Sequence, residues 1–155
     1  MSTDSATLAR PQAAPVVVGR RHTVLIIDDD DTLSDVLSHW LRKQGLHPVA
    51  AYSGTAGLAK AKAEPPSAIV LDLCLPDADG LGICEQLADA PETCSVPVII
   101  LSGLEQPGIV RRCRAAGCHY FLRKPYDPNA LLVLIRQAVR NASDWQSDVL
   151  DEDER

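Results

Sequence analysis

The sequence predicts an α/β fold, a doubly wound five-stranded parallel sheet of (βα)5 type, on three observations. Short apolar runs without polar alternation recur along the chain, among them Val24-Leu25-Ile26-Ile27 and Ala68-Ile69-Val70-Leu71. Such runs read as strands buried on both faces, the habit of parallel sheets. A helix-like stretch follows each strand, five times in 155 residues, whereas a closed barrel needs about eight such units. Finally, the runs end in acid: Asp28-Asp29-Asp30-Asp31 after the first, Asp72 after the second. That puts carboxylates at the C-terminal ends of strands, where open α/β sheets hold their ligands.

After the first strand, Leu33, Val36, Leu37, Trp40 and Leu41 fall on one helical face. Asp31 or Thr32 is expected to cap that helix, and Gly45 lies just past its end. A short strand is expected over His47–Ala51, then an alanine-rich helix from Ser53 to Ala63 stopped by Pro65-Pro66. The third strand is Ala68–Asp72, followed by the loop from Leu73 to Gly80 and a helix from about Leu81 to Ala88. The fourth strand is expected at Pro97–Leu101, with a helix beginning at Pro107 and ending before Gly117. His119–Arg123 is the fifth strand, and Pro128, suited to a first helical turn, opens a last helix through about Asn141. The expected organisation is a flexible leader at 1–21, one folded domain at 22–142 and an acidic tail at 143–155.

The bulk numbers narrow the function classes. A chain 46% hydrophobic can bury a real core, and its apolar runs are strand-sized, well short of a membrane span. The N-terminus lacks the charged start and long apolar centre of a secretory signal. The five cysteines, at 74, 84, 94, 113 and 118, make an odd count with no metal-ligand spacing. Reduced thiols and a cytoplasmic location are therefore expected. The net charge is −6 and the last twelve residues hold six acids and one arginine. Without a basic stripe, nucleic-acid binding is not expected, and the acidic end reads as a solvated tail.

If the strands are parallel neighbours, four of them converge on one site. Asp28 and Asp29 end the first, Asp72 the third, Ser102 the fourth, and Lys124 the fifth. Like charges this close repel, and a hard divalent cation such as Mg2+ relieves the repulsion with oxygen ligands. A third carboxylate can touch the metal and also act as a nucleophile toward phosphorus. An ammonium and a hydroxyl can bind phosphoryl oxygens. Singly, each residue has an ordinary explanation: a helix cap, a turn serine, a solvated lysine. Their joint occurrence at the same end of each strand points to a metal-dependent phosphoryl site.

The stretches VLIIDDD, IVLDLCLPDADG, VPVIILSG and AGCHYFLRKPY resemble, in order, the receiver domain of two-component response regulators, over about residues 22–142. The resemblance implies the flavodoxin-like strand order 2-1-3-4-5 and a stand-alone, chemotaxis-regulator-like protein. It implies that Asp72 is the phosphoacceptor. The donor would be a phosphohistidine on a sensor histidine kinase or a histidine phosphotransfer protein. Asp28 and Asp29 match the Mg2+-binding pair, and the Cys74 backbone carbonyl matches a further metal ligand beside Asp72. Ser102 and Lys124 match the groups that read the acyl phosphate, and Phe121 the aromatic switch residue. A downstream protein effector is implied, with no membrane insertion. By this reading the chain is no enzyme beyond catalysing its own phosphorylation and slow dephosphorylation.

Cys74 stands where the family commonly has Met, and Leu104, two past Ser102, is apolar; in the family both positions influence how fast the acyl phosphate is lost to water. Neither is suited to orienting an attacking water, so slow autodephosphorylation is expected. Arg111, Arg112 and Arg114 on the fourth helix and Arg123 on the fifth strand read by default as a solvated face; the alternative is a docking surface, because the family commonly signals there, and Leu33 is either core or part of a kinase-facing surface. Two rival readings remain. Val24–Thr32 also matches the haloacid-dehalogenase-type phosphatase motif, with Asp28 as nucleophile and Asp30 as general acid, although that family needs an acidic pair on a later strand, only Tyr126, Asp127 and a helix follow Lys124, and Asp72 is left unexplained. A receiver-fold interaction module independent of phosphorylation is the other, although such modules typically lose site residues and none is lost here.

Overall fold

The computed structural model describes residues 22–153, with side chains through residue 141. The leader at 1–21 and the side chains of the tail at 143–155 lie outside the described residues. Among the described residues ten elements alternate: β1 Thr23–Ile27, α1 Asp31–Lys43, β2 His47–Ala51, α2 Gly54–Ala63, β3 Ala68–Asp72, α3 Gly80–Asp89, β4 Val98–Ser102, α4 Ile109–Ala115, β5 Tyr120–Arg123 and α5 Pro128–Asp153. All four strand pairings are parallel, and the spatial order is β2-β1-β3-β4-β5. The expected fold class and strand order are both found.

Successive residues of a strand face opposite sides of the sheet, so each buried run supplies two cores. Leu25, Ile27, Ile69, Leu71, Val98 and Ile100 pack beneath α2, α3 and α4 with Ala61, Leu87 and Cys113. Val24, Ile26, Val70, Ile99 and Leu101 pack on the other side against Leu41 of α1 and Leu131 and Ile135 of α5. β3 and β4 are buried along their full length. Their last residues, Asp72 and Ser102, are therefore polar groups held at the rim of a dry sheet.

The helix ends differ from the sequence reading in instructive ways. Asp30, not Asp31 or Thr32, caps α1, and its Oδ1 accepts from the Leu33 N–H at 3.0 Å. Asp31 is the first helical residue, where an acid suits the positive end of the helix dipole. The buried face of α1 is Ser34, Ser38 and Leu41, while Leu33 and Val36 are 55% and 63% exposed. Small serines let the helix approach closely, and the apolar stripe turns sideways toward a groove instead of down into the core. α4 starts at Ile109 rather than Pro107, because Gly108 sits at its N-cap with φ of +75°, a left-handed conformation that glycine adopts without a Cβ penalty. The backbone of α5 runs on to Asp153 instead of stopping near Asn141. After Pro128 the sequence contains neither glycine nor proline to end it.

Candidate functional site

The parallel register brings three carboxylates together at the C-terminal edge of the sheet. One oxygen from each of Asp28, Asp29 and Asp72 lies within 4.8 Å of the others. Asp28 and Asp72 are buried and Asp29 is exposed. β1 and β3 are adjacent, with Ile27 beside Leu71, so residues 28 and 72 emerge side by side. Backbone amides fix both buried acids: the Asp30 N–H donates to Asp28 Oδ1 at 3.0 Å, and the Cys74 N–H donates to Asp72 Oδ1 at 3.1 Å. Three hard oxygen donors around one small space, partly open to solvent, form a donor set suited to Mg2+. Cys74 follows on the same loop, exposed and in no disulfide.

Opposite the acids stands Lys124, at the end of β5 and before a cis Pro125. Its Nζ donates to Asp72 Oδ2 at 3.3 Å. A tight ammonium–carboxylate contact is about 2.7–2.9 Å, so this one is loose and the ammonium is free to move toward another oxygen. Burial pulls the Lys124 ammonium down, but Asp72 and Asp28 outweigh it and its pKa lies above the ordinary lysine value. Burial pushes Asp28 up, opposed by the Asp30 amide and reinforced by the charge of Asp72. Tyr126, whose hydroxyl burial also pushes up, stands near Lys124, Asp28 and Asp72.

Ser102 is fully buried at the end of β4. Its Oγ accepts from the Leu104 N–H at 3.0 Å, leaving the hydroxyl proton to donate elsewhere. Leu104 is half-buried against the core under α4. Phe121, paired with Ile100 across β4 and β5, is half-buried in the same region. The Arg123 guanidinium lies 5.9 Å from the Phe121 ring centroid. Thus Asp28, Asp29, Asp72, Ser102 and Lys124 share the rim of the sheet, and Phe121 lies one step further out on β5.

Two features were not read from the sequence. A cavity of about 670 Å³ opens beside the acids between α1 and the start of α5, lined by Leu33, Val36, Trp40 and Tyr126. Its signal was the apolar α1 stripe, whose outward tilt periodicity alone does not reveal. The other is Asp77, in the loop between β3 and α3, which caps α2 from across the fold. No spacing rule links residues 23 positions apart. Asp30, the general acid of the phosphatase alternative, is exposed and caps α1 through one carboxylate oxygen.

Comparison with known proteins gives a consistent result. The model of the response regulator receiver domain matches residues 24–136. The DNA-binding dual master transcriptional regulator RpaA of Synechocystis is 35% identical over 117 residues, which cover 76% of this chain and 48% of that protein. A crystal structure from Chloroflexus aurantiacus described as a response regulator superposes with a TM-score of 0.73 at 30% identity, covering 78% of this chain and 99% of the other. A CheY-like receiver domain protein from Methanospirillum hungatei has the same fold, with a TM-score of 0.75 at 24% identity over 80% of this chain and 98% of its own. The chain spans about half the length of the curated relatives it matches.

Proposed function

Because this chain belongs to the response regulator receiver domain family, in which phosphoryl acceptance and Mg2+ use are general, we propose that Asp72 is its phosphoacceptor. The observation that carries the reading is the convergence on Asp72. Two further carboxylates lie within 4.8 Å and one ammonium at 3.3 Å. In this reading Asp28, Asp29, Asp72 and the Cys74 carbonyl hold Mg2+. When bound there, the ion supplies positive charge that offsets the clustered carboxylates and the phosphoryl oxygens.

The donor is a phosphohistidine on a sensor histidine kinase or a phosphotransfer protein. A carboxylate oxygen of Asp72 attacks phosphorus as the P–N bond breaks, and the electron pair returns to the imidazole. Lys124 slides from Asp72 Oδ2 to a phosphoryl oxygen, which its loose contact permits, and the Ser102 hydroxyl donates to another. Phosphorylation adds charge and acceptor oxygens. Drawing Ser102 and the strand end inward opens space that the Phe121 ring enters, so one covalent event selects between two packings of the α4–β5 surface. Exposed Arg111, Arg112 and Arg114 on α4 and Arg123 on β5 support that face as the output surface, read by a protein effector.

Incubating the protein with acetyl phosphate and Mg2+ and weighing it by intact-mass spectrometry tests the assignment. One phosphoryl group should appear on the wild type and none on Asp72→Asn. Labelling that survives Asp72→Asn would overturn it. No labelling of the wild type by any phosphodonor would favour an interaction module that works without phosphorylation.

A further inference from the structure

We propose that Asp77 is a positioning residue for the Mg2+ site, holding the metal-ligating loop in place by clamping its tip to the start of α2. The inference rests on the reading above, in which the carbonyl of Cys74 is a metal ligand. Both Asp77 carboxylate oxygens are used. Oδ1 accepts from the Gly54 N–H at 2.8 Å, and Oδ2 accepts from the Thr55 N–H at 3.0 Å and the Thr55 hydroxyl at 2.9 Å. These bonds hold the carboxyl below its ordinary value. The local N-cap of α2 is Ser53, whose Oγ accepts from the Ala56 N–H at 3.1 Å; Asp77 adds bonds to the first two amides of α2 from a different loop.

The loop itself explains why its tip needs holding. Its base is closed: Cys74 and Asp79 form an antiparallel bridge, and the Gly80 N–H donates to the Leu73 carbonyl at 3.2 Å. The closure is tight, since a Cβ on Gly80 would stand 2.5 Å from Leu73 Cα. A loop pinned only at its base can still swing at the tip, and a swing there pulls on the Cys74–Asp79 bridge that orients the Cys74 carbonyl beside Asp72. Asp77 is at that tip and removes the swing. Sterics reinforce the clamp, because a Cβ on Gly54 would come within 2.9 Å of Ala78 Cβ. The first turn of α2 and the loop are therefore pressed together as well as bonded.

Calorimetric titration of the intact, unphosphorylated protein with MgCl2 tests the proposal, with no phosphodonor present. Asp77→Ala should weaken Mg2+ binding by about tenfold, the low end of what loss of a supporting contact costs a metal site. Asp77→Asn, which keeps an acceptor oxygen, should fall between Asp77→Ala and wild type. Gly54→Ala, which pushes the loop from the α2 side and leaves the carboxylate in place, should also weaken binding. In acetyl phosphate reactions the Mg2+ requirement of Asp77→Ala should rise while the rate at saturating Mg2+ stays at the wild-type level. A urea-unfolding loss in Asp77→Ala with unchanged Mg2+ affinity would make Asp77 a plain helix cap and overturn the proposal. Failure of the wild type to bind Mg2+ at all would sink the phosphoacceptor reading first, and this inference with it.

Discussion

Ser102 and its neighbours decide how long a phosphoryl group on Asp72 would survive. The Ser102 hydroxyl keeps its own proton for donation while its oxygen is held by the Leu104 amide. The side chain of Leu104 is half-buried among apolar groups, and Cys74 beside Asp72 is exposed but neither acid nor amide. Hydrolysis of an acyl phosphate is assisted by a group that orients the attacking water, and neither position offers one. The phosphoprotein is therefore expected to persist for minutes or longer in the presence of Mg2+, and Leu104→Glu should shorten its lifetime. Following the decay of the phosphorylated mass after removal of acetyl phosphate measures both. A wild-type lifetime of seconds would contradict this account. At this scale the meeting of Asp28, Asp29, Asp72, Ser102 and Lys124 at one edge of the sheet was legible in the sequence, because each ends or follows a strand that the apolar runs make plain. The Asp77 clamp was not, since it depends on a contact between two loops that no local pattern encodes.

At the scale of elements, glycine separates helix positions that must touch the sheet from positions that need not. α2 crosses β1 at Gly57, where an added Cβ would stand 2.5 Å from Ile27 Cδ1 and 2.7 Å from its Cγ1. Ile27 is fully buried and β-branched, with little room to retreat. Gly57→Ala should therefore destabilise the protein by about 1–3 kcal/mol through overpacking. Gly82 in α3 is the opposite case, since an added Cβ there meets nothing within 4 Å. Gly82→Ala should stabilise by roughly 0.5–1 kcal/mol, the ordinary helix preference for alanine. Urea unfolding of both variants checks the pair, and equal shifts in one direction would refute the packing argument. The strands were legible nearly to the residue because parallel strands must be apolar on both faces. The helix starts were less so. Asp30, Asp31 and Thr32 are all acceptable caps by type, and only the path of the chain chooses Asp30.

For the molecule as a whole, the acidic rim is an electrostatic cost, which the proposed cation site would explain. The sheet topology was legible from five βα units, but the electrostatic cost was not, because it depends on how closely three loops meet. Two like charges about 4 Å apart repel by about 4 kcal/mol at an effective dielectric near 20. Lys124, bonded to Asp72, offsets part of this. Asp28 shows the remainder: burial and the charge of Asp72 push its carboxyl up, so at neutral pH its ionised form weighs against the folded state. Asparagine at residue 28 would remove the charge and keep an oxygen to accept from the Asp30 amide. Asp28→Asn is thus expected to be more stable than wild type in EDTA, by about 1–2 kcal/mol after allowing for screening by Lys124. Mg2+ should then reverse the order. A ligand at a hundred times its dissociation constant stabilises the folded state by about 2.7 kcal/mol, and the wild type would receive this while Asp28→Asn would receive little. Thermal melts of both proteins across a Mg2+ series should cross. If Mg2+ raises both melting temperatures equally, or if Asp28→Asn is the less stable protein in EDTA, the acids are not a metal site held under charge repulsion.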